Sequence, residues 1–107
     1  MVCPSPLGGL PDNGAFMALF EATTGVKPTH ICGKPNPQMI LHKISELGLL
    51  PEKCAMIGDR LYTDMEMAKK AKVKAILVLS GEATKEDLEL YPHEPDLVVD
   101  SIDELVR

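Results

Sequence analysis

Cys54-Ala55-Met56-Ile57-Gly58-Asp59 and Ala75-Ile76-Leu77-Val78-Leu79-Ser80-Gly81 are the two stretches that decide the fold. Each begins with a continuous apolar run of strand length. Neither shows the alternation of a half-exposed strand, so both read as strands covered on two faces. Between them, Thr63-Asp64-Met65-Glu66 has the form of a helix-opening capping box, and Met65, Ala68 and Ala71 continue an apolar helical stripe. Buried strand, helix, buried strand describes a right-handed βαβ unit. The predicted class is α/β, a three-layer Rossmann-like arrangement with helices on both faces of a parallel sheet.

Upstream of this unit, Gly33-Lys34-Pro35-Asn36-Pro37 opens a helix, with Asn36 as N-cap and Pro37 at the first helical position. Ile40, Ile44 and Leu47 recur at i, i+4 and i+7, and Gly48 ends the pattern. Thr29-His30-Ile31-Cys32 reads as a short extended piece. Before it, Asp12 or Asn13 caps a helix over residues 15–23, whose face carries Phe16, Leu19 and Phe20 and which stops at Gly25. The first dozen residues hold three prolines and two glycines and read as an irregular lead-in. Downstream, Thr84 caps a short acidic helix through Leu90. Leu97-Val98-Val99 is a last strand, and Ser101-Ile102-Asp103-Glu104 is a second capping box opening a terminal helix.

Composition narrows the function. The 107 residues contain 11 Lys plus Arg against 16 Asp plus Glu, a net charge of −5. That balance argues against sequence-independent nucleic-acid binding, which needs a positive patch. It allows an anionic small molecule only where a local cation offsets the repulsion. No run approaches the roughly 20 apolar residues that cross a bilayer, and no signal peptide opens the chain. Cys3, Cys32 and Cys54 form no zinc-type spacing with His30, His42 and His93, and read as buried reduced thiols of a cytoplasmic protein.

Ligands of parallel sheets bind beyond the carboxyl ends of the strands. Gly58 and Asp59 sit there, and Asp64 follows five positions later in the first turn of the next helix. Two carboxylates facing one cavity make a hard-oxygen site for Mg²⁺. The plain alternative is a loop turn at Asp59 and a helix-dipole partner at Asp64. Lys34 is the second candidate. Pro35 and Pro37 stiffen its loop, which suits charge stabilisation of a phosphoryl group, against the plain reading of a solvated surface lysine.

Together Gly33-Lys34-Pro35, the strand ending in Gly58-Asp59-Arg60, Thr63-Asp64, and the strand ending in Ser80-Gly81 resemble the C-terminal half of a haloacid dehalogenase-like (HAD) hydrolase. The nearest branch is that of the NagD-type and p-nitrophenylphosphatase-like enzymes with a C2-type cap. The resemblance runs from about Pro11 to the end. It implies an Mg²⁺-dependent phosphatase acting on a small phosphorylated metabolite through an aspartyl-phosphate intermediate. By the same resemblance Lys34 matches the motif-III lysine, which is catalytic and binds substrate phosphate. Asp59 matches the motif-IV metal ligand, and Asp64 the second acid of that motif. Gly33, Gly58, Arg60 and Thr63 fall in the supporting loops.

The departures bear equally on function. The family's nucleophile lies in a DxDxT string, and none occurs in these 107 residues. Its motif-II Ser or Thr and its cap also precede the matched region. Lys72 stands where the branch has a helix-ending glycine. Residues 1–107 are therefore expected to be the C-terminal half of a core domain, inactive alone. A non-catalytic HAD-like half-domain serving binding or assembly is the alternative, and a receiver-like phospho-acceptor domain a weaker third. In the family the strand matching residues 54–57 lies beside the nucleophile strand. Without that neighbour it becomes an apolar edge, which predicts edge-to-edge pairing as a homodimer or aggregation, centred on Met56.

Overall fold

The computed structural model describes residues 2–106 and divides into two compact units, Met1–Ile31 and Cys32–Arg107. In the first, β1 (Val2–Cys3) pairs antiparallel with β2 (Leu10–Pro11), placing Cys3 opposite Leu10. The lead-in is thus a short ladder rather than irregular chain. Its turn uses Gly8 at φ 114° and a hydrogen bond from Gly8 N to Ser5 O of 3.1 Å. Neither signal is visible as hydrophobic periodicity.

Helix α1 (Asn13–Thr24) follows, close to its predicted span. Asp12 Oδ1 accepts from Asn13 N at 2.7 Å, and Gly25 closes the helix in the left-handed conformation, φ 71°. Its apolar face is nevertheless open: Phe16, Leu19 and Phe20 are 49%, 55% and 63% exposed. The expected extended piece at residues 29–32 forms no strand.

The second unit carries the βαβ pattern. Helix α2 (Gln38–Glu46) begins one residue later than expected, with Pro37 rather than Asn36 at the N-cap position; Asn36 Oδ1 accepts from Gln38 N at 3.0 Å from one residue further out. Strands β3 (Ala55–Gly58), β4 (Lys74–Val78) and β5 (Leu97–Val99) form one parallel sheet in the order β3-β4-β5. Register places Gly58 beside Leu77 and Val78 beside Val99. Helix α3 (Glu66–Ala71) joins β3 to β4, and α4 (Lys85–Leu90) lies between β4 and β5.

The core gathers Ile44 of α2, Ala68 and Ala71 of α3, and Ala75 and Leu77 of β4, with Leu61, Met65, Val73, Ala83 and Tyr91. Met56 and Ile40 pack against it. One face of the sheet is thus covered along β3 and β4. On the other, Ile57 and Leu97 stay 42% and 45% exposed, so the predicted cover on both faces is incomplete among the described residues. β3 is an edge in this sheet, as the apolar-edge reading expects.

Three local expectations change. Thr63 does not cap α3, because the chain first makes a π-helical turn over Leu61–Met65. Ser101 makes no side-chain cap; Glu104 Oε1 instead accepts from Asp100 N at 2.8 Å, and only a 3₁₀ turn, Ile102–Leu105, follows. The cysteines are free but not all buried: Cys3 and Cys32 are exposed, and Cys54 is half-buried. Thr84 meets its expectation fully. Its hydroxyl accepts from Asp87 N at 3.2 Å while Asp87 Oδ2 accepts from Thr84 N at 3.0 Å. Lys72 ends α3 at φ 59°, the left-handed region that glycine tolerates best.

Candidate functional site

Strand β3 ends at Gly58, and the chain then turns through Asp59 and Arg60 into the π-helical turn. Asp64 N and Met65 N both donate to Arg60 O at 3.1 Å. The widened turn folds the Asp64 side chain back over the loop that precedes it. Asp64 Oδ2 accepts from Asp59 N and Arg60 N, each at 3.2 Å. Gly58 leaves the room this needs, since a Cβ there would fall on Asp64 Cβ and its carboxyl. Single π turns of this kind recur at functional sites.

Asp64 is the buried charge among the described residues, with its side chain only 3% exposed. A carboxylate taken from water needs compensation. Oδ2 receives it from the two N–H groups, whereas Oδ1 meets no well-aligned hydrogen-bond donor and faces Lys34 Nζ at 2.5 Å. Lys34 stays 42% exposed, so its ammonium spans the distance from solvent to a buried anion. The Lys34-Pro35 peptide bond is cis.

Asp59 is more open. Its carboxyl is held below the usual carboxylate range, chiefly by the backbone N–H of Glu82, with Arg60 and a hydrogen bond with Asp64 acting the same way. Burial is the next largest influence and opposes this, but does not win. Asp59 and Asp64 thus come within hydrogen-bond reach of each other at the carboxyl end of β3. Two carboxylates brought that close favour a cation beside them.

The donor set fits Mg²⁺. It consists of hard carboxylate oxygens with one acid open to solvent, the arrangement an ion uses when it keeps waters and adds phosphate oxygens. Among the described residues no group of three His, Cys, Asp or Glu side chains gathers into a closed cage. Asp59 would hold the ion, and Asp64, whose oxygens face the Asp59 and Arg60 N–H groups and Lys34, would support it from behind.

The remaining sequence candidates divide. Gly33 lies in the turn before α2, where Asn36 N donates to Gly33 O at 3.0 Å. Arg60 reaches Glu82 at 3.8 Å, an exposed pair of small energetic weight. Thr63 Oγ1 is buried without a hydrogen-bond partner. A pocket of about 360 Å³ opens beside the site, lined by Arg60, Tyr62, Glu82 and Leu90 among others, but Lys34, Asp59 and Asp64 do not line it. Sequence reasoning missed Glu82. The available signal was positional: residues 80–83 follow the carboxyl end of β4 as Asp59 follows that of β3.

The sequence profile of the HAD-hydrolase-like family matches residues 31–105. A dihydroxyacetone phosphatase of Corynebacterium glutamicum is 40% identical over 102 residues, covering 95% of this chain and 37% of that protein. The ribonucleotide monophosphatase NagD of Escherichia coli K12 is 33% identical over 98 residues, covering 92% of this chain and 39% of its own. The crystal structure of a 4-nitrophenylphosphatase from Thermotoga maritima superposes with a TM-score of 0.87 at 48% identity, over 97% of this chain and 40% of that one. The chain spans about two-fifths of the length of these relatives. No helix among the described residues is long and apolar enough to cross a membrane.

Proposed function

The chain belongs to the HAD-hydrolase-like family, in the branch of NagD and the p-nitrophenyl phosphatases, and from that premise we propose that it is the C-terminal half of the core domain of an Mg²⁺-dependent phosphatase. One observation carries the reading. Lys34, from the loop before α2, meets the segment after β3 that carries Asp59 and Asp64; the first two stay accessible and the third is buried to organise them.

In this reading Lys34 places its ammonium against the oxygens of a transferring phosphoryl group. Asp64 fixes that ammonium through their ion pair and fixes the Asp59 backbone through its N–H. Asp59, held ionised, offers a carboxylate oxygen to the cation. Bound Mg²⁺ supplies positive charge that offsets the developing negative charge on the phosphoryl oxygens. The nucleophile is an aspartate of a DxDxT segment outside these 107 residues. It attacks phosphorus as the P–O ester bond breaks and the substrate's alcohol leaves, and water then hydrolyses the aspartyl-phosphate to release phosphate and restore the aspartate.

The names of the relatives, a dihydroxyacetone phosphatase and a ribonucleotide monophosphatase, support a small phosphorylated metabolite as substrate. A cytoplasmic location and a homodimer paired along β3 belong to the same proposal. The deciding measurement is turnover of p-nitrophenyl phosphate with Mg²⁺, by the 107-residue chain and by a chain that also carries the DxDxT segment. The first should show none. In the second, Lys34→Ala should lower turnover about 100-fold, and Asp59→Asn should weaken Mg²⁺ binding and turnover together. Near wild-type rates for both variants would return these residues to structural roles.

A further inference from the structure

Asp59 is held from two directions, and only one of them comes from its own loop. Glu82 N donates to Asp59 Oδ2 at 3.0 Å, and the next residue, Ala83, donates its N–H to Asp59 O at 2.9 Å. Two consecutive amides of the loop after β4 thus clamp both the side chain and the main chain of a single residue. They are themselves fixed, because Thr84 immediately opens α4 with a reciprocal cap to Asp87. The approach is so close that a Cβ at position 81 would fall on Asp59 Cβ, Cγ and Oδ2 together.

Asp59 Cβ is fixed to its own backbone and cannot swing aside as the end of a flexible side chain can. Any side chain at position 81 must therefore push the Asp59 carboxyl away or open the loop. The clamp occupies Oδ2 and leaves Oδ1 outside this bond, which gives the carboxylate one defined face. We propose that Gly81 and the Glu82 N–H are positioning groups for Asp59, so that the loop after β4 is part of the site. The metal-binding consequence rests on the reading of Asp59 given above; the clamp itself does not.

Amide spectra of the ¹⁵N-labelled 107-residue chain test the clamp without metal. In Asp59→Ala the Glu82 amide proton should move upfield and exchange faster; an unchanged Glu82 amide overturns the proposal. Mg²⁺ titration then tests the consequence. Gly81→Ala should raise the half-saturating Mg²⁺ concentration about tenfold, the loss expected when a ligand's outer support is displaced. Excess Mg²⁺ should restore saturation, whereas a merely structural defect would lower stability with no such recovery. Unchanged half-saturation in Gly81→Ala overturns the proposal. If Gly81→Ala does not fold, the Asp59→Ala amide comparison decides alone. If the wild-type chain binds no Mg²⁺ while its Glu82 amide still responds to Asp59→Ala, the clamp stands and the metal reading falls.

Discussion

Helices α1 and α3 obey opposite rules. α1 has twelve residues, an aspartate cap, a left-handed glycine at its end and an apolar face of Phe16, Leu19 and Phe20, yet none of its residues is buried. α3 has six residues, no side-chain cap and a lysine in the left-handed position, yet buries Met67, Ala68 and Ala71. Good local signals thus shape a helix without anchoring it, while burial against a sheet keeps a helix whose ends are poor. Short helices are marginal in water by themselves, so tertiary packing outweighs their intrinsic propensity. The candidate site lies in the second unit, beside the poorly capped helix.

The sharpest way to break the comparison is to remove a large side chain from each unit. Leu77→Ala empties a fully buried position and should cost about 3 kcal/mol. Phe16→Ala, at a half-exposed position, should cost less than about 1 kcal/mol. Urea unfolding of both variants gives the two values, and equal losses would show that α1 is anchored after all.

Helix ends sharpen it next. Thr84→Ala removes one arm of a reciprocal cap and should destabilise the second unit by about 1 kcal/mol, whereas Asp12→Ala removes a single bond and should cost about 0.5 kcal/mol. At the other ends the signs should oppose. Gly25→Ala forces a side chain into φ 71° and should destabilise α1, read by circular dichroism. Lys72→Gly relieves φ 59° and should stabilise the second unit by about 0.5 kcal/mol, read by its urea midpoint.

The smallest effect is in pH dependence. The Tyr91 hydroxyl donates to Glu66 Oε1 at 2.7 Å and holds the Glu66 carboxyl below its ordinary value of 4.5. Stability from that shift is present above pH 4.5 and is lost as pH falls through the folded value. Burial, and then Glu66, raise the Tyr91 phenol above its ordinary 10.0. That contribution is present below pH 10.0 and is lost as pH rises through the folded value. Tyr91→Phe should therefore flatten both the acid and the alkaline limbs of urea midpoint against pH; Asp12→Ala should flatten neither.

Along the chain, what was legible followed locality. The parallel strands could be read from their continuous apolar runs, although β3 and β5 stay partly exposed. Asp12, Gly25 and Thr84 could be read because each partner lies within four residues. Thr63 misled because its capping pattern is real, but the π turn sends the Glu66 N–H to Leu61 O and Thr63 O rather than to the Thr63 hydroxyl. Ser101 misled in the same way: only the glutamate half of its box forms, and on Asp100.

The sequence by itself determined the α/β class, the strand cores and the three residues around which a phosphate site is proposed, since periodicity and motif spacing are properties of neighbouring residues. Tertiary structure alone decided that Asp64 is buried against Lys34, thirty positions away, that Glu82 and Gly81 close over Asp59, and that Ile57 stands in the open. Each of these depends on two distant segments meeting. Charge compensation and excluded volume act only between groups already brought together, so no local pattern records them.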